Sequence, residues 1–511
     1  MARAPRTVRP AAAVQGCLAT ELGAHYVSRT KGAHAKAGNV NNGLRCALAT
    51  GRRPQFILLL DADFVAHRKI LKRTLGLFEQ ADVGIVQTPQ HFFNPDPVQA
   101  NLLVTRSWPD EQRFFFNELL PCKDAWGAAF CCGTSAVIRV AALEQCGGMA
   151  IETVTEDMLT SFKMEEFGWR TIFLNELLSL GLAPEGIREY ISQRARWCLG
   201  AIQQLYTRWS FAGPARLRLV SRLSSLDGAM YWSFTFPFKI MMISGPLVYW
   251  WTGTSVMTST LGELTYWLGP SALAGTTFLM FYSELRVLPV MTDAMQLLPA
   301  FVVVCTVATG LVRPFGRPFE VTAKGLSSEH VTVHWGLLLP FAALAAATVL
   351  GIVVNLPAYS PLHGAPSYEV NVLWSLFNIA VLLITASACV ELPKRRSEER
   401  FVTDEPAELL TEAGIQVCRV ANISVSGARI RVPGGWQIAG REGVVAFNGG
   451  DLRAPFVLIT AAGDTAAIQF ATDAATRRAL IVKLFTGAYH NEVGTVRPGA
   501  IAKAVLRKVL Y

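Results

Sequence analysis

The chain has 511 residues, room for about three folding units, and 51% of them are hydrophobic while only 17% are charged. An ordinary soluble domain carries roughly 25% charged residues, so this composition excludes intrinsic disorder and argues against a wholly soluble protein. The net charge of +9 sits largely in the flanks of apolar segments, which speaks against a nucleic-acid polymer as partner, and the ten cysteines contain no Cys-x-x-Cys pair, so reduced thiols are expected rather than a zinc ribbon or disulfide framework.

Residues 1–205 read as an α/β domain. Their N-terminus, MARAPRTVRPAAAVQGCLATELG, has no apolar core long enough for a signal peptide. The run Phe56-Ile57-Leu58-Leu59-Leu60 stops at Asp61, and Val83–Val86 and Thr171–Leu174 are similar. Apolar runs without alternation suit central strands covered by helices on both faces. Ligands of open α/β sheets bind beyond the carboxyl ends of strands, where Asp61 and Asp63 fall. Two carboxylates one residue apart on such a turn suit a hard cation together with a ribose hydroxyl, although a solvated turn has the same spelling. Thr155-Glu156-Asp157 opens the helical run Met158–Phe167. It reads either as acids at the positive end of a helix dipole or as a general base for an attacking hydroxyl. Gln193-Arg194-Ala195-Arg196-Trp197 reads as a basic, aromatic membrane-interface helix, or as a grip on a diphosphate beside a ring that stacks on sugar.

Residues 206–392 are membrane-like. Ala229–Trp251, Leu264–Tyr282, Trp335–Leu356 and Val370–Val390 each approach the length of a bilayer crossing. Linkers 252–263 and 357–369 contain no Lys or Arg, while basic residues flank the other ends. The positive-inside rule then predicts four crossings, with the shorter Leu297–Val312 lying along the interface. Lys239 inside the first span is expected to snorkel or face the protein interior. Residues 393–511 turn β-like: Ala428–Val432 alternates, and two short runs flank Gly463-Asp464. A small antiparallel barrel or sandwich is predicted. The closing helix, Ala500–Leu510, has a basic face suited to the protein surface or to lipid headgroups.

In chain order the elements HAKAGNVNNGL (34–44), DAD (61–63), QTPQHFFNPDP (87–97), FCCGTSAV (130–137), TED (155–157), QRARW (193–197) and FEVTAKG (319–325) together resemble the bacterial cellulose synthase catalytic subunit family. These are processive family 2 glycosyltransferases of the inner membrane. The resemblance implies a GT-A-type transferase domain over 1–205, a helical transmembrane region over 206–392 with a gating loop at 319–325, and transfer of glucose from UDP-glucose to the 4-hydroxyl of a growing β-glucan. By the same resemblance Lys36 and Asp61 contact the nucleotide, Asp63 holds Mg²⁺ and Asp157 is the base. Gln193 and Arg196 bind diphosphate, Trp197 stacks on the acceptor and Cys132 lines its pocket. Phe319, Val321 and Thr322 belong to the gating loop.

Arg396-x-x-x-Arg400 and Asn422-x-Ser424-x-x-Gly427, ahead of a β-rich region, resemble a PilZ domain over 393–511. Arg395, Arg396, Arg400, Asn422, Ser424 and Gly427 would then bind cyclic di-GMP as an allosteric activator; planar guanidinium groups suit phosphates and guanine edges. Many relatives have Asp where Asn422 stands. Glu185 is the expected partner of Arg396 in an autoinhibited state. The family also implies a periplasmic accessory subunit. Nothing upstream of Lys36 supplies the family's early spans or its Asp-Asp-Gly strand, so the chain is expected to be truncated at its N-terminus or completed by another polypeptide. Another PilZ-regulated β-glycan synthase, or a catalytically silent cyclic di-GMP-binding membrane protein, stays open as an alternative.

Overall fold

The computed structural model describes residues 9–510 except 30–31, 52, 317–329, 359–361, 363–364, 366, 394–397, 413, 436–440, 448–451 and 490–495. The first region is built on a four-stranded sheet ordered β1 (Phe56–Leu59), β5 (Ala136–Arg139), β3 (Val83–Gln87), β6 (Arg170–Phe173). β3 is buried at every residue because each face has its own cover. Helix α1 (Ala35–Ala49) packs Ala37 and Leu44 with Leu143 and Met164 on one side; Phe78, with Phe56 and Leu58, fills the other. β5 is antiparallel to both β1 and β3, and only β3 and β6 run parallel. Among the described residues β1 is therefore an edge strand with Leu59 alone buried, not the doubly covered strand its apolar run predicts. A smaller sheet of β2 (Phe64–Ala66), β7 (Ser179–Gly181) and β4 (His91–Phe92) starts directly after the Asp61–Asp63 turn.

Helices α2 (Glu156–Glu166) and α3 (Ile187–Leu205) complete this region, and a run of apolar helices follows: α4 (Phe236–Thr252), α5 (Leu261–Tyr282), α6 (Pro289–Val312), α7 (Trp335–Val354) and α8 (Tyr368–Ala388). Among the described residues three of them, α6, α7 and α8, are long and apolar enough to cross a membrane by length and composition. This differs from the four spans expected. The first is divided into a π-helical turn, Tyr231–Thr235, and the 17-residue α4. Leu297–Val312, expected as a short interface helix, is the end of the 24-residue α6. Asp293 and Gln296 interrupt its apolar run in the sequence, but in the fold Asp293 pairs with Lys239 of α4. Two charges cancel between packed helices, so the charge on Lys239 is met inside the protein. Pro246 within α4 cannot donate to the Met242 carbonyl; Asn378 of α8 does so instead, at 2.9 Å. Short strands β8 (Thr332–Val333) and β9 (Val390–Glu391) pair just outside α7 and α8.

The last region is a closed six-stranded barrel, β10 (Phe401–Thr411), β11 (Gly414–Ile423), β12 (Gly427–Arg431), β15 (Thr465–Phe470), β14 (Leu452–Ala462), β13 (Glu442–Phe447), sealed by β10 pairing with both β11 and β13. Inward residues such as Leu409, Val420, Ile430 and Phe456 form its core. Leu180 of the first region joins that core, and Phe93 meets Phe485 edge-on, so the barrel docks on the α/β region. Helix α9 (Ala474–Lys483) follows the barrel. The closing helix α10 (Pro498–Leu510) returns to the protein: Ile501 is buried in the helical core and Lys508 Nζ donates to the Val390 carbonyl at 3.2 Å.

Candidate active site

The site starts at the carboxyl end of β1, where the Asp61 N–H donates to Thr134 Oγ1 at 2.9 Å. Lys36, in the first turn of α1, places Nζ 2.5 Å from Asp61 Oδ1 and donates to the Gly133 carbonyl at 2.5 Å. Burial opposes the Lys36 charge, yet Asp61, then Asp157 and Glu156, outweigh it and hold the ammonium above its ordinary range. Gly133 has φ +88°, and a Cβ there would lie 2.6 Å from Asp157 Oδ2 and 3.2 Å from Lys36 Nζ. Glycine alone combines that backbone with so close an approach of carboxylate and ammonium.

Asp157 lies in the first turn of α2, its Oδ1 accepting the Met158 N–H at 2.9 Å. The Thr155 side chain makes no cap bond. Burial raises the Asp157 carboxyl above its ordinary value, with Lys36 pulling it back. Glu156 is raised too, by burial and then by the neighbouring Asp157 charge. The loop between β5 and these acids is held from β3. Buried Gln87 accepts the Cys132 N–H at 2.7 Å and donates to the Thr134 carbonyl at 2.8 Å. The Cys132 thiol is pushed well up by burial and then by Asp157, so it stays neutral, packed with Phe115 and Phe130 beside Phe116.

Asp63 follows two residues after Asp61, its carbonyl accepting the Leu182 N–H at 3.2 Å. Among the described residues no three His, Cys, Asp or Glu side chains gather into an all-protein metal cage. Two carboxylates one residue apart, Asp61 and Asp63, are the kind of donor a hard divalent cation takes when phosphate and water complete its shell.

Gln193, Arg196 and Trp197 all project from α3. Their setting depends on Arg194, which motif reading passes over. Arg194 is 4% exposed, pairs with Glu111 at 2.5 Å, donates to Gln193 Oε1 at 2.5 Å, and lies over the rings of Tyr190 and Trp197 at 3.8 and 4.8 Å. α3 rests on the turn ahead of Asp157 at Gly200, where a Cβ would lie 2.3 Å from Thr155 Oγ1, and Gln203 accepts the Val154 N–H at 2.8 Å. The Arg196 charge reaches Glu156 and draws its carboxyl down. Lys36, Asp61, Cys132 and Asp157 thus gather around Gly133, with Arg196 toward Glu156. Gln193 and Trp197 contact Arg194 rather than the carboxylates. Sequence reasoning missed Gly133, Thr134 and Gln87 as site builders, although all three lie inside the motifs FCCGTSAV and QTPQ. Phe319, Val321 and Thr322 lie outside the described residues, as do Arg395, Arg396 and hence the pairing with Glu185. Glu185 itself directly precedes Gly186, the N-cap of α3.

At the barrel, Arg400 Nη1 donates to Asn422 Oδ1 at 3.1 Å. The Ser424 N–H donates to the Gly427 carbonyl at 2.8 Å and its hydroxyl does so at 3.2 Å. A Cβ on Gly427 would lie 2.5 Å from the Ile468 carbonyl, so glycine is needed there for close approach of β15.

Residues 11–200 match the family described as "Glycosyltransferase like family 2", residues 145–270 match "Cellulose synthase" and residues 394–486 match "PilZ domain". "Cellulose synthase 2" of Novacetimonas hansenii is 29% identical over 89% of this chain and 29% of its own length. The cellulose synthase 1 catalytic subunit [UDP-forming] of Komagataeibacter xylinus is 30% identical over 81% of this chain and 56% of its own. The corresponding subunit of Xanthomonas axonopodis pv. citri is 31% identical over 80% of this chain and 56% of its own. The chain therefore resembles bacterial cellulose synthase catalytic subunits along most of its length, with a region that matches family 2 glycosyltransferases and a PilZ-type barrel, and it spans about half or less of the length of these relatives.

Proposed function

We propose that the chain is the catalytic part of an inner-membrane cellulose synthase. It transfers glucose from UDP-glucose to the 4-hydroxyl of a growing β-1,4-glucan and is activated by cyclic di-GMP bound at its barrel. The observation that carries this reading is the convergence on Gly133: three motifs far apart in sequence supply Lys36, Asp61 and Asp157 to one half-buried cluster. The relatives' names give the donor as a UDP compound and the product as cellulose.

The cluster's chemistry follows from its charges. Lys36, held cationic by Asp61, faces the region where a nucleotide would bring negative charge. A divalent cation bound at Asp63 would add positive charge against the departing diphosphate. Arg196 and the Gln193 amide bind that diphosphate from α3, while Trp197, like Gln193 in contact with Arg194, offers an aromatic face for the acceptor sugar. Asp157 takes the proton of the acceptor 4-hydroxyl onto its carboxylate as the new glycosidic bond forms and the bond to UDP breaks. A carboxyl raised by burial is a stronger base than one in water, which suits that task. The neutral Cys132 thiol keeps a second negative charge out of the acceptor side.

At the barrel, Arg400, Asn422 and Ser424 supply a guanidinium, an amide and a hydroxyl for a cyclic dinucleotide. The three long apolar helices support a membrane setting. The test is incorporation of labelled UDP-glucose in membranes, with and without cyclic di-GMP, followed by a glucanase specific for β-1,4 bonds. Stimulated, glucanase-sensitive product is expected. Product resistant to that enzyme would point to another β-glycan. Cyclic di-GMP binding without incorporation, with the portion of the relatives' length that this chain does not cover supplied alongside, would sink the catalytic assignment.

A further inference from the structure

Glu391 ends β9, just after the last apolar helix and ahead of the barrel strand that starts at Phe401. Its side chain is 18% exposed and stands where three elements meet. The carboxylate accepts the N–H of Ile187, the first residue of α3. The same oxygen lies 3.2 Å from His334 Nε2, at the start of α7. The Glu391 backbone pairs with Thr332 of β8, and the His334 N–H donates to the Cys389 carbonyl at 3.1 Å.

α3 needs such a partner. The opening N–H groups of a helix have no acceptor within the helix, and a Ser, Thr, Asp or Asn at the preceding position usually supplies one. Here that position is Gly186, which has no side chain to offer. A Cβ at Gly186 would lie 2.1 Å from Glu189 Oε2 and 3.4 Å, an ordinary contact, from Glu391 Oε1, so the distant carboxylate reaches close to the backbone at this position. The negative charge sits at the positive end of the helix dipole. Gln193, Arg196 and Trp197 follow within three turns of this end.

We propose that Glu391 is a positioning residue: it transmits the setting of the barrel's linker to the N-terminus of α3, so that ligand binding at the barrel moves or releases the helix that holds the diphosphate and acceptor groups. What α3 holds rests on the functional reading above; the contact does not. Because β9 continues toward the barrel, a shift of the linker pulls the carboxylate directly. Because the same carboxylate faces His334, the start of α7 is drawn into the same movement.

Two variants of the chain in membrane vesicles separate the roles of the carboxylate. Glu391→Gln keeps an acceptor oxygen without the charge, and Glu391→Ala removes both. Hydrogen exchange over Ile187–Tyr190 is measured with and without cyclic di-GMP, beside cyclic di-GMP binding and UDP-glucose incorporation. In the unmodified chain the dinucleotide is expected to change exchange at Ile187. In Glu391→Ala basal exchange there rises about tenfold and no longer responds. Stimulation of incorporation falls at least about threefold and the KM for UDP-glucose rises, while cyclic di-GMP still binds, its affinity changed by no more than the lost coupling of about threefold. Glu391→Gln lies between. Bound cyclic di-GMP that leaves Ile187 exchange unchanged in the unmodified chain, or an Ala variant that responds as the parent does, overturns the proposal. A parent chain that shows the exchange response but incorporates no glucose instead overturns the catalytic reading and leaves the coupling standing.

Discussion

Around Gly133, Lys36 is bonded to a carboxylate and a carbonyl, and Asp157 has one oxygen on a backbone N–H and the other against a glycine with no side chain. At the barrel, Arg400 donates to Asn422, a neutral amide, on the outer end of a closed sheet. The first arrangement is organised before any ligand arrives, with charges fixed in a partly dry setting where they act strongly on developing charge. At the second, the Arg400 guanidinium counts a neutral amide among its partners. In the reading proposed above, reaction and sensing thus place their charged side chains in different settings: a half-buried cluster of opposed charges in one, an amide-lined barrel edge in the other.

The contrast is broken most directly at the base. Asp157→Asn is expected to lower incorporation by about 10³-fold while UDP still competes for the site, checked by product inhibition; a variant retaining a tenth of parental activity would remove Asp157 from that role. Next in size, Gly133→Ala places a methyl group on the Asp157 carboxylate in a left-handed backbone and is expected to cost about 10²-fold in kcat. UDP competition there should weaken as well, since Lys36 bonds to the Gly133 carbonyl. The raised Asp157 carboxyl gives a pH signature. Protonated below its folded pKa, it is no base, so kcat should be complete above that value and disappear as pH falls through it, at a pH above the ordinary carboxylate value of about 3.9. Titrating kcat in membranes tests this, and an acid limb at the ordinary value would mean that burial does not govern the group.

The barrel side sharpens the comparison with smaller effects. Arg400→Ala should weaken cyclic di-GMP binding by about tenfold or more and leave unstimulated incorporation within about twofold. Asn422→Asp adds a charge opposite Arg400 and should shift dinucleotide affinity by only about two- to threefold, measured by equilibrium binding. A large effect of that substitution would show that the barrel, too, depends on fixed opposing charge.

Much of this was legible because it is local. Asp61 follows an apolar run, Asp157 opens a helix and Ala428–Val432 alternates, and each became the element its pattern predicts. What was not legible depends on distant partners. β1 reads like a central strand, but β5, from beyond residue 130, pairs with only one side of it. Asp293 interrupts an apolar run in the sequence, and only the fold brings Lys239, 54 positions earlier, to neutralise it. Gln87 and Gly133 carry no chemistry of their own; they matter through backbone bonds and missing volume, which no spacing rule reveals. A closed barrel rather than a sandwich follows from β10 meeting β13, a register that strand-by-strand alternation leaves open.

The rest of α3 on Thr155 at Gly200 has a consequence for anyone hoping to retool this cleft for a different sugar. Trp197 on α3 and Asp157 in the first turn of α2 stand on two elements braced against each other: Trp197 lies a single turn from the bearing point, and Val154, just ahead of α2, is tied to Gln203. In the reading proposed above, tilting the indole to admit a bulkier ring is expected to disturb the Asp157 turn as well. Substrate range in such a frame is expected to change by paired replacements on both sides of the bearing, with single substitutions yielding slower versions of the same catalyst.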